Sequence, residues 1–188
     1  MFNTENLILR GFQDNDLEGI LALRNDPLVQ RTQTFSAIAP PPSSKYKEYM
    51  KTFAEGSALW FSLVHKESEN FIGFCCINLL EAKNRDARLG ITIASGFWGK
   101  GYGTEATRFT VNYAFKYFGL QRISLDVTEG NARARAIYAK LGFKVEGRKR
   151  RGNWVDGHWE DIVYMGVLDD EWAELYPDKF ARILRQSR

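Results

Sequence analysis

The chain has 188 residues, 44% of them hydrophobic and 26% charged, which reads as one ordinary globular domain and excludes a disordered or fibrous chain. Its 26 Lys and Arg against 23 Asp and Glu leave a net charge of +3, too small a surplus to argue for a nucleic-acid protein by itself. Two Cys and two His are too few and too scattered for a zinc site, and no apolar run approaches the roughly 20 residues that span a bilayer. Metal and membrane are therefore not expected. The opening residues carry no apolar signal region, so the expected location is the cytoplasm.

In chain order, residues 7–10 alternate like a short strand. Asp14 or a neighbour can cap a helix carrying Leu17, Ile20 and Leu21 on one face, and Pro27 stops it. After a loop with prolines at 40, 41 and 42, Ser43 or Ser44 starts a second helix through about Phe53, broken at Gly56. Residues 59–65 and 71–79 are β-rich runs that read as a hairpin. The adjacent Cys75 and Cys76 fall in the second run and should point to opposite faces, which forbids a mutual disulfide.

Residues 88–94 form the next strand. A glycine-rich turn, 96–103, leads into a helix with Ala106, Phe109, Tyr113, Ala114 and Tyr117 at helical spacing, closed by Gly119. Residues 122–128 are a strand. Asn131 caps a short helix that ends near Leu141, with Gly142 in the left-handed stop position. Residues 143–152 and 158–168 pair about Asp156-Gly157, a common hairpin turn. The tail from Asp169 holds Trp172, Leu175 and Tyr176, then becomes basic.

The order is β-α-α-β-β-β-α-β-α-β-β. Its central strand–turn–helix–strand unit is a crossover that makes two strands parallel, between antiparallel hairpins. The expected fold is a mixed α/β sheet with helices packed on it. It forms a single domain over 1–188, with a core at about 5–172 and a basic tail over 173–188.

The most informative stretch is Gly99-Lys100-Gly101-Tyr102-Gly103-Thr104, between a strand and a helix. Amides at a helix start carry unsatisfied donors and about half a positive charge. Glycines there let a ligand approach the backbone. The turn is thus a seat for a phosphate or pyrophosphate, with Lys100 as a cation at its rim. It is neither a P-loop, because Lys100 is followed by Gly101, nor a dinucleotide fingerprint, because its third glycine comes one residue early.

With the residues after it, this stretch resembles the GNAT N-acetyltransferase superfamily. It is closest to the branch of ribosomal-protein N-terminal acetyltransferases and spermidine acetyltransferases. The family's cofactor motif, Gln/Arg-x-x-Gly-x-Gly/Ala, reads here Trp98-Gly99-Lys100-Gly101-Tyr102-Gly103, with Trp98 departing at the first position. A second block, residues 131–143, resembles the family's Asn…Tyr…Leu-Gly-Phe signature through Asn131, Tyr138, Leu141, Gly142 and Phe143. Residues 7–10, Glu146-Gly147, Gly157 with Asp161, and Glu171-Trp172 add to it. The resemblance runs from about residue 5 to 172.

The resemblance implies a twisted, mostly antiparallel sheet whose two central parallel strands splay apart, flanked by helices. Acetyl-coenzyme A would sit in the opening. Its pantetheine arm would pair with the backbone at Ile91, Thr92 and Ile93, and its phosphates would rest on residues 98–104. The implied reaction is attack of an amine on a thioester, which needs positioning, a donor for the oxyanion and a proton for the leaving sulfur. Tyr138 is the expected acid, and Asn131 would bond the pantetheine. Glu129, and after it Asp126, are candidate bases. Phe35, Trp154 and Asp161 are candidate residues on the acceptor side, with Trp159 beside them.

Two departures bear on the acceptor and the acid. Ala134 stands where some relatives carry a Ser near the sulfur, so Tyr138 has no substitute. Arg88 stands where relatives often carry an acid, which weighs against a polyamine. The expected partner is a small-molecule or peptide amine. The aromatic-rich surface leaves room for two copies to pair. Two other classes compete: a non-catalytic acyl-coenzyme A sensor, and a nucleic-acid module using Arg148, Lys149, Arg150 and Arg151. The second is disfavoured, because alternation puts only two of those four on each face and a charged edge strand explains them.

Overall fold

The computed structural model describes residues 1–33 and 39–177. Eight strands form one sheet: β1 (Phe2–Asn3), β2 (Leu7–Arg10), β3 (Leu59–His65), β4 (Phe71–Glu81), β5 (Asp86–Ile93), β6 (Arg122–Thr128), β7 (Lys144–Val155) and β8 (His158–Leu168). Their order is β1-β2-β3-β4-β5-β6-β8-β7. All neighbours are antiparallel except β5 and β6, the pair joined by the glycine turn and helix α4 (Tyr102–Phe118).

The remaining helices are α1 (Asp16–Asn25), α2 (Pro27–Gln33), α3 (Ser43–Gly56), α5 (Ala132–Lys140) and α6 (Asp169–Leu175). Strand β1 and helices α2 and α6 were not among the expected elements. Pro27 ends α1, as expected, and also opens α2. Proline lacks the N–H that a first helical turn leaves unpaired anyway, so one residue serves both ends.

Alternation along the strands divides the core into two layers. On one face Leu7, Leu63, Cys75, Leu89, Ile123 and Val163 meet Ala106, Val111 and Ala114 of α4, with Trp172 of α6 fully buried beside them. On the other, Trp60, Phe74 and Cys76 meet Ile20 and Leu23 of α1 and Met50 and Ala54 of α3. The two cysteines do fall on opposite faces, and both are free. Asp16 anchors the second layer. It is almost fully buried, takes both terminal nitrogens of Arg10 at 2.8 and 2.6 Å, and accepts from Ser62 Oγ at 2.7 Å and the Gln13 amide at 3.0 Å. No described helix is long and apolar enough to cross a membrane.

A fork in the sheet, an uncapped helix and a cavity form the candidate active site

The ladder between β5 and β6 is short. It pairs Asp86, Ala87 and Arg88 with Arg122, Ile123 and Ser124 and then stops. Strand β5 continues beside β4 to Ile93, and β6 continues beside β8 to Thr128. The facing edges of residues 89–93 and 125–128 therefore share no ladder bonds. Backbone N–H and C=O groups must be paired or hydrated, so this gap is an open strand edge inside a sheet. An extended ligand carrying amides can fill such an edge as an added strand. Ile91, Thr92 and Ile93 lie along it. Gln33 of α2 donates to the Thr92 hydroxyl and ties that helix across the opening.

The glycine turn stands at the wide end of the fork. Gly99 and Gly101 have φ of +78° and +88°, and a Cβ built on either would meet nothing within 4 Å. Glycine is favoured there by the backbone conformation, and the space it leaves is open. Gly101 is the N-cap of α4 and supplies no side-chain cap. The first intrahelical bond near this end is Glu105 N–H to Gly101 O. The amides of Tyr102, Gly103 and Thr104 therefore have no partner within the helix. Glu105, the acid of the first turn, is turned away by Asn6, whose amide and Nδ2 it accepts at 2.8 and 2.9 Å. Among the described residues no carboxylate accepts from these amides. Gly103 lies where α4 meets α5: a Cβ there would make ordinary contact with Ile137 and Ile93.

The other residues of the turn hold it in place. The Trp98 indole donates to Ile93 O at 2.7 Å, which fastens the turn to the end of β5, and the Arg133 guanidinium stacks 4.3 Å from the ring. The Tyr102 hydroxyl lies 2.9 Å from His65 Nε2. Lys100 is exposed over the Phe97 ring, 5.4 Å from its centroid.

Helix α5 supplies the rest. Asn131 caps it as its position predicts, with Oδ1 accepting from Ala134 N–H at 3.1 Å and Nδ2 reaching Thr32 O of α2 at 3.4 Å. Tyr138 is 9% exposed and packs in the core beneath the fork with Ile93, Leu125 and Val127. Burial pushes its phenol well above the usual range, with the charges of Cys75 and Asp126 adding to the shift. Its hydroxyl has no hydrogen-bond partner among the described residues.

A cavity of about 250 Å³ opens beside the fork, between α2, the end of β6 and the β7–β8 hairpin. Arg31, Thr32, Trp98, Asn131, Asp156 and Glu160 are among its lining residues. The expected base candidates are not among them. Glu129 pairs with Arg148 at 2.6 Å, and Asp126 pairs with Arg88 across the fork. Within the cavity, Asp156 faces Arg31 at 3.3 Å. Glu160 is different: its side chain is 15% exposed, and its one charged partner among the described residues is His158, at 3.3 Å. Alternation along β8 marks Glu160 no more than its neighbours, so no pattern in the chain singles it out.

Trp154 is exposed and stacks edge-on to Trp159 at 5.0 Å, next to the cavity residue Val155. The Asp161 carboxylate accepts the Arg151 amide at 2.9 Å and shapes the hairpin. Neither side chain lines the cavity. Phe35 lies outside the described residues.

Comparison with known proteins places this architecture. Residues 6–144 match the model of the acetyltransferase (GNAT) domain. A Bacillus subtilis (strain 168) protein provisionally named a ribosomal N-acetyltransferase is 30% identical over 178 residues, covering 89% of this chain and 94% of its own. The spermidine N(1)-acetyltransferase of Escherichia coli (strain K12) is 27% identical over 173 residues, 87% of each chain. Among solved structures, the Vibrio cholerae spermidine N-acetyltransferase in complex with CoA and spermine superposes with a TM-score of 0.79 at 24% identity, over 90% of this chain and 99% of that one.

Proposed function

Because the chain belongs to the GNAT acetyltransferase family, we propose that it transfers an acetyl group from acetyl-coenzyme A to a primary amine, with Tyr138 serving the leaving sulfur. One observation carries the assignment of the site: the sheet forks after Arg88 and Ser124, directly beside an uncapped helix N-terminus. The residues present fit the cofactor. Amides of residues 102–104 and the open space at Gly99 and Gly101 suit a pyrophosphate, with Lys100 at its rim. The free edge at Ile91, Thr92 and Ile93 suits an amide-bearing arm, and Asn131 stands where that arm would end.

When bound, acetyl-coenzyme A supplies a thioester acetyl that an amine can take. The chain's own residues position, polarise and move protons. Tyr138 keeps its proton throughout the working pH range, because burial raises its pKa. A simple thiol ionises near 8.5, so complete transfer from this phenol to sulfur is uphill. Tyr138 O–H therefore acts as a hydrogen-bond donor to the charge growing on sulfur, and solvent completes the protonation. A hydroxyl donor with no protein partner among the described residues is suited to that role.

On the acceptor side, an alkyl ammonium has a pKa near 10, so only about one in 10³ is neutral at pH 7. Glu160 holds the ammonium and receives its proton on the way to solvent. Glu129 and Asp161 shape the wall, through Arg148 and the Arg151 amide. Glu160 is the one cavity carboxylate without a cationic Arg or Lys partner among the described residues. The site therefore suits a single ammonium better than a chain of several.

The test is release of free thiol from acetyl-coenzyme A across polyamines, amino acids, aminoglycosides and short peptides, with a no-acceptor control. Turnover with a mono-ammonium acceptor supports the reading. Cofactor binding with no turnover on any amine would make the chain a sensor. No cofactor binding at all would end the proposal.

A further inference from the structure

A glycine serves its position in one of two ways: the backbone needs a positive φ, or a neighbour needs the room. Gly130 serves in the second way alone. It is not among the glycines with positive φ, so its backbone does not ask for glycine. A Cβ there would lie 2.2 Å from Glu160 Oε1, 2.9 Å from the carboxyl carbon and 3.1 Å from Oε2. The register explains the meeting. Strand β6 pairs Thr128 with Ile162 of β8, and the Glu129 amide donates to Asp161 O at 2.9 Å. The next position across this antiparallel pair sets Gly130 opposite Glu160. Both line the cavity, and Gly130 is the one glycine among its lining residues.

The backbone at Gly130 is held on both sides. The Asn131 amide donates to Thr128 O at 3.0 Å, and the Ala132 amide to Gly130 O at 2.9 Å. Asn131 in turn caps α5. The movable partner is the carboxylate, which ends a flexible side chain whose one charged contact among the described residues is His158. We infer that Gly130 is a positioning residue: its bare Cα seats the Glu160 carboxylate in the acceptor cavity. The inference rests on the reading of Glu160 as the group that holds the acceptor ammonium, and adds what holds Glu160. Gly130 and Asn131 are neighbours in one turn. The same short piece of backbone therefore places the acceptor's carboxylate and the residue at the end of the coenzyme arm. It thereby sets the spacing between amine and thioester.

The experiment introduces Gly130→Ala into the full chain, alone and together with Glu160→Gln or Glu160→Asp. An alanine Cβ drives the Glu160 carboxylate back by about 1 Å, and a misplacement of that size costs up to about 10²-fold. For a mono-ammonium acceptor, kcat/KM should fall roughly 10- to 100-fold near pH 7. The fall should be much smaller near pH 10, where the amine arrives neutral. The atom displaced is the far end of a flexible side chain, so the melting temperature should stay within about 3 °C. The calorimetric Kd for acetyl-coenzyme A should stay within a few-fold, because the bonds that hold the turn remain. In Glu160→Gln there is no carboxylate to displace. In Glu160→Asp the side chain is one bond, about 1.5 Å, shorter and clears the Cβ. Adding Gly130→Ala to either should therefore change kcat/KM by less than about 3-fold, a non-additivity that a merely structural role does not produce. Unchanged kcat/KM in Gly130→Ala alone overturns the inference. So does an equal loss with Glu160→Gln present, which gives Gly130 a role apart from Glu160. A coenzyme Kd weakened as much as kcat/KM also overturns it, and traces the effect to Asn131. An unaltered chain that binds acetyl-coenzyme A but acetylates no amine removes the reading of Glu160, and the inference with it.

Discussion

Replacing Tyr138 with Phe removes one oxygen and leaves the ring packed against Phe143, 5.8 Å between centroids. Because that hydroxyl has no protein partner among the described residues, the fold should lose at most about 0.5 kcal/mol. The chemistry loses more. A hydrogen bond to a charged group is worth about 1.5–3 kcal/mol, which at 1.36 kcal/mol per decade predicts a fall in kcat of roughly 10- to 150-fold. Binding of acetyl-coenzyme A, followed by calorimetry, should stay within a few-fold, since the turn and the strand edge are untouched. Thiol release under saturating acceptor gives the rate. The two proteins also differ in alkaline stability. The folded Tyr138 pKa lies above its unfolded value near 10. Its contribution is therefore complete below pH 10 and is lost as pH rises towards the folded value, a loss the Phe variant does not share. An unchanged kcat would remove Tyr138 from the mechanism.

Other expectations follow from single groups. Glu160→Gln should lower kcat/KM by about 10²-fold near pH 7 and by much less near pH 10, where the amine arrives neutral, as a pH–rate series would reveal. Gly101→Ala forces a Cβ into φ +88° and into the open cradle; a loss of about 1–2 kcal/mol in stability and at least a 10-fold weaker calorimetric Kd for coenzyme A are expected. Asp16 is opposed by burial, but the bonds from Arg10, Ser62 and Gln13 outweigh it and hold its pKa below 3.8. Its contribution is present above that value and lost as pH falls through the folded one. Asp16→Asn leaves Arg10 without its anion and should cost about 3–5 kcal/mol, measured by urea unfolding at pH 7. Burial pushes the Cys76 thiol up to about 11 and Cys75 higher still. Iodoacetamide at pH 8 should therefore modify neither in the native protein and both in urea.

Much of this was legible in the chain because it depends on local chemistry. The glycine turn needs positive φ at Gly99 and Gly101, and Asn131 caps a helix through one side-chain bond. Both are short-range and visible in the spelling. Alternation also separated Cys75 from Cys76 correctly. What escaped was non-local or two-sided. Pro27 reads as a stop, yet the same missing N–H makes it a start, so α2 and its cavity residues Arg31 and Thr32 went unseen. Strand β1 is two residues long and exists only through its pairing with Ile8 and Leu9. The partners of carboxylates cannot be read from spacing. Glu129 and Asp126 looked available until Arg148 and Arg88, 19 and 38 residues away in the chain, were found on them. Glu160 stood out only once the others had been accounted for.

The central claim is that the fork between β5 and β6, with the turn beside it, is where acetyl-coenzyme A is held. Amide hydrogen exchange, with and without acetyl-coenzyme A, tests it without any acceptor. The account predicts slowed exchange over residues 89–93 and over 99–104, with little change on α1 or α3. Saturating cofactor that leaves both segments unchanged, or protects a different surface, would contradict it.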